Sequence, residues 1–222
     1  MEQQAALKIY YTNCKCFTEK DLFEKGLSLV HETRRKKVLA CKKEADRCRS
    51  LAAGLLVRYA CGQLGYDYDT MYFSEGKNHK PFAKNMHFNL SHSGDFAAIV
   101  TGDAEAGIDI ECLLYRFEGR HGKERFFGVM ERCFTEAERA QVMLVSETAE
   151  AYMLATEIWT RKESYAKACG AGLGMDFSRI PVLDKPGFAS YRMADGYVIS
   201  TYSDAGCPVE FPVCVRPQEM VR

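Results

Sequence analysis

The chain has 222 residues, of which 47% are hydrophobic and 27% are charged, and its formal net charge is zero. This composition is that of an ordinary globular protein with one large or two small domains. Without a basic excess a general nucleic-acid-binding protein is not expected, so we predict no nucleic-acid partner. No run of about 18 apolar residues occurs, so we also predict no membrane span.

The N-terminal sequence and the cysteines suggest a compartment. Met1-Glu2-Gln3-Gln4 is acidic and polar, unlike the basic and apolar start of a secretory signal. Ten cysteines are scattered along the chain, with no C-x-x-C motif and no second pair to match Cys14-x-Cys16. We therefore expect a cytoplasmic protein whose cysteines are reduced and mostly buried.

The first third of the chain predicts a short strand at Lys8–Tyr11 and then a helical region from residue 31 to about 64. The segment from Asp21 to Val30 is ambiguous. Apolar positions at helical spacing should face the core, and Gly65 should end the helix. These positions are Leu51, Leu55, Tyr59 and, as a further candidate, Gly62.

The same helical region is cationic, and Arg34, Lys37 and Arg49 form a cluster for which we expect no acidic partners nearby in sequence. The cations of this region include Arg34, Arg35, Lys36, Lys37, Lys42, Lys43, Arg47, Arg49 and Arg58. One interpretation is a solvated helix face. The other is a phosphate clamp, because Arg and Lys supply charge-assisted hydrogen bonds to polyanions.

Two further strands are predicted at His87–Leu90 and Phe96–Thr101, and the first continues into Ser91-His92-Ser93-Gly94. Hydroxyls and an imidazole can donate hydrogen bonds to an anion, and a glycine permits close backbone approach. This segment is therefore a candidate anion pocket, although His92 could also be a turn residue without a ligand. Upstream, Pro81 restricts Lys80 to an extended conformation.

The sequence Gly107-Ile108-Asp109-Ile110-Glu111 alternates strictly. On a strand the two isoleucines face one side, while the glycine and both acids face the other. Two carboxylates on one rigid face suit Mg²⁺, which takes one or two carboxylates together with water and substrate phosphate. The alternative is an edge strand with a solvated acidic face.

After an irregular segment from Cys112 to Lys123, Thr135 and Glu138 form a capping-box pattern, which gives Glu138 a structural role. A long helix follows from about Glu147 to Cys169 and should end at the glycines 170 and 172.

On this long helix Trp159, Glu163 and Lys167 share one face, because residues four apart are neighbours on a helix. Trp159 is more typical of a core residue than of a ligand platform. Glu163 and Lys167 could be a surface ion pair worth about 0.3–0.5 kcal/mol. The glycine-rich exit beyond Gly170 favours instead a loop that turns tightly beside a ligand at the helix end.

The last part of the chain predicts short strands at residues 188–193, 197–202 and 211–215, with Asp195-Gly196 as a hairpin signal between the first two. Helices and strands together indicate an α+β fold.

Several of these patches together resemble a known family. The segments in question are Phe88-Asn-Leu-Ser-His-Ser-Gly94, Gly107-Ile-Asp-Ile-Glu111 and Trp159-Thr-Arg-Lys-Glu-Ser-Tyr-Ala-Lys167 followed by Gly170-x-Gly-Leu173. In order and spacing they are similar to the larger, surfactin-synthetase-activating type of 4′-phosphopantetheinyl transferase. Phe134-Thr135-x-x-Glu138 resembles that family's F-[S/T]-x-x-E element, and Lys80-Pro81 matches its K-P step. The resemblance extends from about Arg34 to Leu173, and it is weakest in residues 112–132.

The resemblance implies an α+β pseudodimer of two similar α/β subdomains with the active site in the cleft between them. We expect the N-terminal subdomain at residues 1–103 and the C-terminal subdomain, which carries the metal site, at residues 104–222.

The implied activity is Mg²⁺-dependent transfer of 4′-phosphopantetheine from coenzyme A to a serine of an apo acyl or peptidyl carrier protein, releasing adenosine 3′,5′-bisphosphate. We expect the protein to act as a monomer. The implied metal ligands are Asp109, Glu111 and Glu163. The implied catalytic residues are Glu163, Lys167, Asp109 and His92, with Glu163, or a water that it orients, as the candidate base. The implied coenzyme A contacts are Arg34, Lys37 and Arg49 for the 3′-phosphate and nucleotide end, and Lys80, Pro81, Ser91, His92 and Lys167 around the phosphates.

Two other functions stay open at this point. A Mg²⁺-dependent phosphohydrolase could use the same acids on water. A non-catalytic module could bind coenzyme A or a carrier without turnover.

Overall fold

The computed structural model describes residues 6–75, 81–112, 122–171 and 174–222. Lys80, Gly172, Leu173 and most of the predicted loop after Cys112 therefore lie outside the described residues. The chain divides into two compact units, Met1–Ala104 with Pro208–Arg222 and Glu105–Cys207. Both units combine helices with strands, so the predicted α+β class is confirmed.

The strands are β1 (Lys8–Asn13), β2 (Phe73–Glu75), β3 (Pro81–Ala83), β4 (His87–Ser93), β5 (Phe96–Gly102), β6 (Gly107–Glu111), β7 (Phe188–Arg192), β8 (Val198–Tyr202) and β9 (Val213–Cys214). The helices are α1 (Lys20–Leu29), α2 (Glu32–Ala40), α3 (Glu44–Gln63), α4 (Gly122–Cys133), α5 (Glu136–Leu144), α6 (Thr148–Ala168) and α7 (Pro217–Met220). Within the described ranges, no helix is long and apolar enough to cross a membrane.

The first unit is a four-stranded sheet, ordered β4-β5-β1-β9, with α3 as the central helix of its core. Leu51 and Leu55 are fully buried, as predicted, and the Tyr59 ring packs edge-on against Tyr10 at 5.2 Å. Gly62 is exposed, so its expected core position was wrong. Gly65 adopts a φ of +77° just after the helix, which confirms the predicted stop.

The continuous helical region expected at residues 31–64 is in fact two helices, α2 and α3. Cys41 and Lys43 have extended backbones, and the Cys41 N–H donates to the Val38 carbonyl to close α2. Neither a glycine nor a proline marks this break. The helical pattern of the sequence therefore runs on across it and does not predict it. The ambiguous segment before it forms α1.

The end of the chain belongs to the first unit. Strand β9 pairs in parallel with β1, and the Val215 N–H donates to the Tyr11 carbonyl at 2.8 Å. Sequence analysis had grouped residues 208–222 with the second subdomain, because the pairing partner of β9 lies about 200 positions earlier in the chain.

The second unit has an antiparallel sheet, ordered β6-β8-β7, on which α6 packs. The hairpin signal at Asp195-Gly196 is confirmed, since the Met193 N–H donates to the Tyr197 carbonyl at 2.8 Å across it. The predicted long helix is confirmed as α6. Helix α4, in contrast, was not predicted.

All ten cysteines are free thiols. Four are buried and three are exposed, so the expectation of mostly buried thiols was wrong. The buried ones are Cys14, Cys48, Cys61 and Cys112. Burial raises the pKa of Cys14 to about 12, although the nearby Arg49 acts in the opposite direction.

The difference in exposure between Cys14 and Cys16 allows a test of the fold of the first unit. At pH 8 a thiol with a pKa of about 12 is ionised to only about one part in 10⁴, and the thiolate is the reactive form. We expect iodoacetamide to label exposed Cys16 in the native protein and to leave Cys14 unlabelled until the protein unfolds. Mass spectrometry of tryptic peptides measures both sites. Equal labelling of the two cysteines in the native state would contradict this fold around Cys14.

Candidate active site

Strand β6 and helix α6 meet backbone to backbone. A Cβ atom added at Gly107 would lie 2.0 Å from the Ser164 carbonyl oxygen and 2.5 Å from the Ala168 nitrogen. Real Cβ contacts are never this short, so only glycine allows the two elements to approach so closely. The acidic strand predicted from sequence is therefore held directly against the long helix.

This contact brings together two of the predicted site residues, Asp109 and Lys167. The Lys167 ammonium donates to Asp109 Oδ1 at 2.7 Å and to the Ile108 carbonyl oxygen at 3.1 Å. Asp109 is only 7% exposed. Although β6 is an edge strand, the alternative of a solvated acidic face is wrong for Asp109, because its side of the strand is covered.

The other two acids lie on the same pair of elements. Glu111 is half-buried at the end of β6, and its Oε1 accepts a hydrogen bond from the Cys112 N–H at 3.0 Å. Glu163 is half-buried on α6, one turn before Lys167.

The carboxylates of β6 have the donor chemistry that Mg²⁺ prefers. Among the residues described, however, no three His, Cys, Asp or Glu side chains converge closely enough to hold a metal ion. Asp109, Glu111 and Glu163 are thus not assembled as a ready three-carboxylate cage. Substrate phosphate and water would have to complete the coordination of a metal held here.

Hydroxyl groups next to Asp109 were not predicted as part of the site. Ser200 lies opposite Asp109 in the β6–β8 register, and its hydroxyl is 2.7 Å from that of Thr160 on α6. The Ser200 hydroxyl also lies 2.9 Å from that of Ser190 on β7. These buried hydrogen bonds fix the sheet to the helix beside the acids. In sequence, the only sign of them is the hydroxyl pair Ser200-Thr201 inside an otherwise apolar strand.

The predicted capping box is confirmed, since Thr135 caps α5 and Glu138 bonds back to the Thr135 N–H. Glu138 also forms a fully buried ion pair with Lys162 of α6, at 2.7 Å. The Lys162 ammonium donates in addition to the carbonyls of Phe177 and Ile180. Burial lowers the pKa of Lys162, and the Glu138 carboxylate opposes that shift. Sequence analysis gave Lys162 no role.

Trp159 has the role of a core residue, which the sequence favoured over a ligand platform. Its ring packs edge-on against Phe177 at 5.9 Å, next to the apolar core of the second unit.

Three of the residues predicted to hold the coenzyme line one pocket of the first unit, of about 350 Å³. They are Arg34, Lys37 and Pro81. The rest of the lining is mostly apolar and aromatic and includes Tyr68, Phe73, Phe82 and Phe88. The pocket therefore combines cationic side chains with a wall of aromatic ones, formed by Tyr68, Phe73, Phe82 and Phe88.

Arg49 and His92 lie close to a different feature, the β4–β5 turn. Arg49 donates to the Gly94 carbonyl at 2.8 Å and pairs with Asp46 at 2.5 Å. The hydrogen bond from Arg49 lowers the pKa of Asp46, and the charge of His92 lowers it further. The interpretation that Arg34, Lys37 and Arg49 have no acidic partners was therefore wrong for Arg49.

Ser91 and His92 do not share a surface. Strand β4 continues to Ser93, beyond the predicted Leu90, so their side chains alternate between its two faces. Ser91 is buried and His92 is exposed.

Comparison with known proteins gives the family. Residues 105–202 match a family model described as the 4′-phosphopantetheinyl transferase superfamily, and residues 18–104 match one described as 4′-phosphopantetheinyl transferase, N-terminal. Similar proteins include the 4′-phosphopantetheinyl transferase psf-1 of Bacillus pumilus, 30% identical over 77% of this chain and 72% of the relative.

Two eukaryotic relatives are longer. The chain is 28% identical to 4′-phosphopantetheinyl transferase pptA of Paxillus involutus, over 72% of this chain and 66% of the relative. It is 29% identical to the L-aminoadipate-semialdehyde dehydrogenase-phosphopantetheinyl transferase of Mus musculus, over 61% of this chain and 46% of the relative. The matched region thus spans between about half and two thirds of these two relatives.

All of these relatives are transferases by name, and residues 105–202, which match the superfamily model, include both Asp109 and Lys167. The chain belongs to the 4′-phosphopantetheinyl transferase superfamily, in its larger type.

The close contact at Gly107 can be tested by adding a single methyl group. We expect Gly107→Ala to destabilise the protein by about 3 kcal/mol or more, at the upper end of overpacking effects, because backbone atoms would have to move. Urea unfolding of the purified variant measures this free energy.

The matched control is Gly128→Ala in α4, where an added Cβ meets nothing within 4 Å. This change should be neutral or stabilising, since alanine favours helix by about 1 kcal/mol over glycine. Similar unfolding midpoints for the two variants would show that α6 and β6 are not in close contact.

Proposed function

We propose that this protein transfers the 4′-phosphopantetheine group of coenzyme A to a serine hydroxyl of an apo carrier protein. The observation that carries this proposal is the buried Asp109 carboxylate with the Lys167 ammonium 2.7 Å away. Both residues lie in segments that resemble motifs of the family, on elements that Gly107 holds in contact.

The reaction forms a bond between the serine oxygen and the β-phosphorus of coenzyme A and breaks the bond from that phosphorus to the bridging oxygen. Adenosine 3′,5′-bisphosphate leaves with that oxygen, and the serine proton must go to a base. Catalysis of such a step is mainly positioning and charge stabilisation.

In the proposed site Asp109 and Glu111 bind Mg²⁺ from one face of β6, and Glu163 contributes from α6. The ion, when bound, neutralises the pyrophosphate oxygens and polarises the reacting phosphorus. Glu163, or a water that it orients, accepts the serine proton. Its roles as base and as metal ligand compete for one carboxylate.

Lys167 is proposed to bind the transferred phosphate. Because charge develops on that group in the transition state, a fixed ammonium there acts mainly on kcat. The contact between Lys167 and Asp109 supports this role, since it holds the ammonium beside the acid that would carry the metal.

The nucleotide end of coenzyme A is proposed to bind to the first unit. Arg34 and Lys37 supply charge for the 3′-phosphate, while the aromatic wall and Pro81 suit a purine base. Arg49 and the exposed His92 remain proposed phosphate contacts, as does Lys80, which lies outside the described residues. The predicted joint contact of Ser91 and His92 with one phosphate is given up, because Ser91 is buried on the opposite face of β4.

We further propose that the two units are the halves of the pseudodimer implied by the resemblance, and that the protein works as a monomer in the cytoplasm. The carrier is an apo acyl or peptidyl carrier protein.

The decisive experiment incubates the protein with coenzyme A, Mg²⁺ and several apo carriers and weighs the carriers by mass spectrometry. We expect at least one carrier to gain the mass of one phosphopantetheine on its serine. Free phosphopantetheine formed without any carrier would instead indicate the phosphohydrolase. Coenzyme A binding without either product would indicate the non-catalytic module.

Substitution of Asp109 tests the metal role. We expect Asp109→Asn to lower the carrier modification rate by a factor on the order of 10²–10³, the usual cost of removing a preorganised catalytic charge. The asparagine keeps the size of the buried side chain, so circular dichroism should show a folded protein. Asp103→Asn, at an exposed acid directly after the end of β5, is the control and should retain full activity. A folded Asp109→Asn variant with normal Mg²⁺-dependent activity would contradict the assignment.

The nucleotide pocket is tested with a smaller substrate. We expect the wild-type protein to prefer coenzyme A over 3′-dephospho-coenzyme A, and Arg34→Ala with Lys37→Ala to reduce that preference, mainly through KM. Lys20→Ala, at an exposed cation outside the pocket, should leave the preference unchanged. Equal kcat/KM values for both substrates in the wild type would contradict this role and would indicate that Arg34 and Lys37 belong to a solvated helix face.

A further inference from the structure

Two methionine sulfurs contact one thiol in the core of the first unit. Cys61 Sγ, on the last turn of α3, lies 3.3 Å from Met71 Sδ and 3.5 Å from Met86 Sδ. Met71 follows the short helical turn Tyr68–Thr70, and Met86 lies in the turn between β3 and β4. Separate segments of the chain thus bring two thioethers into contact with the same thiol.

The surroundings of these sulfurs are apolar. Cys61 is fully buried and Met86 is 5% exposed, both within the core cluster, while Met71 packs against it half-buried. Met71 therefore lies between the cluster and solvent and provides a side from which an ion could enter.

We propose that Cys61, Met71 and Met86 form a binding site for one soft monovalent metal ion, Cu(I) or Ag(I). This site is separate from the proposed transferase chemistry and does not depend on it. Thiolate and thioether ligands select Cu(I), whereas hard ions such as Mg²⁺ require oxygen ligands.

Charge balance favours a monovalent ion. On binding, the S–H bond of Cys61 breaks, a sulfur–metal bond forms and the proton leaves to solvent, with no electron transferred. The thiolate and the M⁺ ion then sum to zero, so the apolar core does not hold a net charge, which would be costly to bury. A divalent ion on the same ligands would leave one positive charge unbalanced. Burial raises the pKa of Cys61 to about 11, so the thiol keeps its proton at neutral pH until a metal displaces it.

The spacing requires only a small adjustment. A metal about 2.3 Å from each sulfur, a typical metal–thiolate distance, keeps the sulfurs of a trigonal site roughly 4 Å apart. From 3.3 and 3.5 Å, the two thioethers would have to move away from Cys61 Sγ by about 0.5–0.7 Å, and methionine is unbranched and adapts its rotamers readily.

The test must separate this site from the other nine cysteines. The variant Met71→Leu/Met86→Leu removes both thioethers but keeps every thiol and nearly the same core volume. Met130→Leu, at a buried methionine of the second unit, is the matched control. Each full-length protein is loaded anaerobically with one equivalent of Cu(I) and titrated with bicinchoninate, a chromophoric Cu(I) chelator. Thermal melting of each variant verifies folding.

We expect the wild type and Met130→Leu to retain Cu(I) about tenfold more tightly than the double variant, a difference of about 1.4 kcal/mol. X-ray absorption of the loaded wild type should show a shell of three sulfurs. Equal retention by a folded double variant would overturn the proposal, because Cu(I) would then be bound by other thiols. A shell of two sulfurs in the wild type would overturn it as well.

Discussion

The site depends on one physical constraint, the absence of a side chain at Gly107. Because nothing projects from this residue, the backbone of β6 reaches the backbone of α6 near Ser164 and Ala168. Two residues along the strand, Asp109 is then on the same face, and Lys167 reaches it from the helix at 2.7 Å. A larger residue at position 107 would separate the elements, and the buried carboxylate would lose its cation. The acid and the ammonium are therefore positioned by main-chain packing, which is stiffer than any side-chain contact.

A second fixed point lies on the same helix. The Glu138–Lys162 pair is fully buried and ties the start of α5, the segment at residues 177–180 and helix α6 together. Removing one partner of such a pair commonly costs about 3–5 kcal/mol, because the other charge stays buried without compensation, although an apolar pair of similar volume is often neutral. The pair is therefore more important for geometry than for stability. Because Lys162 immediately precedes Glu163, the pair fixes the rotation of the helix that presents the proposed base.

Sequence alone predicted what local patterns encode. The alternation at residues 107–111, the capping box at Thr135 and the period of α6 each specify an element within a few residues, and each was confirmed. Pairings across the chain were not predictable. The contact between Asp109 and Lys167 joins positions 58 apart, and the parallel pairing of β9 with β1 joins opposite ends of the chain. The break between α2 and α3 was missed because ordinary residues adopt the extended backbone there.

The two units differ in the kind of interaction that their residues can offer. In the first unit Arg34 and Lys37 line a pocket together with aromatic side chains, and in the proposed function these groups would bind the nucleotide equally before and during reaction. Such uniform binding lowers KM without raising kcat. In the second unit Asp109 is buried and Lys167 is half-buried, and their contact holds both charges in place, so under the proposed function they act where charge changes as the phosphate bond breaks. Under the proposed function, substitutions in the pocket should therefore be compensated by more coenzyme A, and those beside β6 should not, because saturation cannot restore stabilisation that exists only in the transition state.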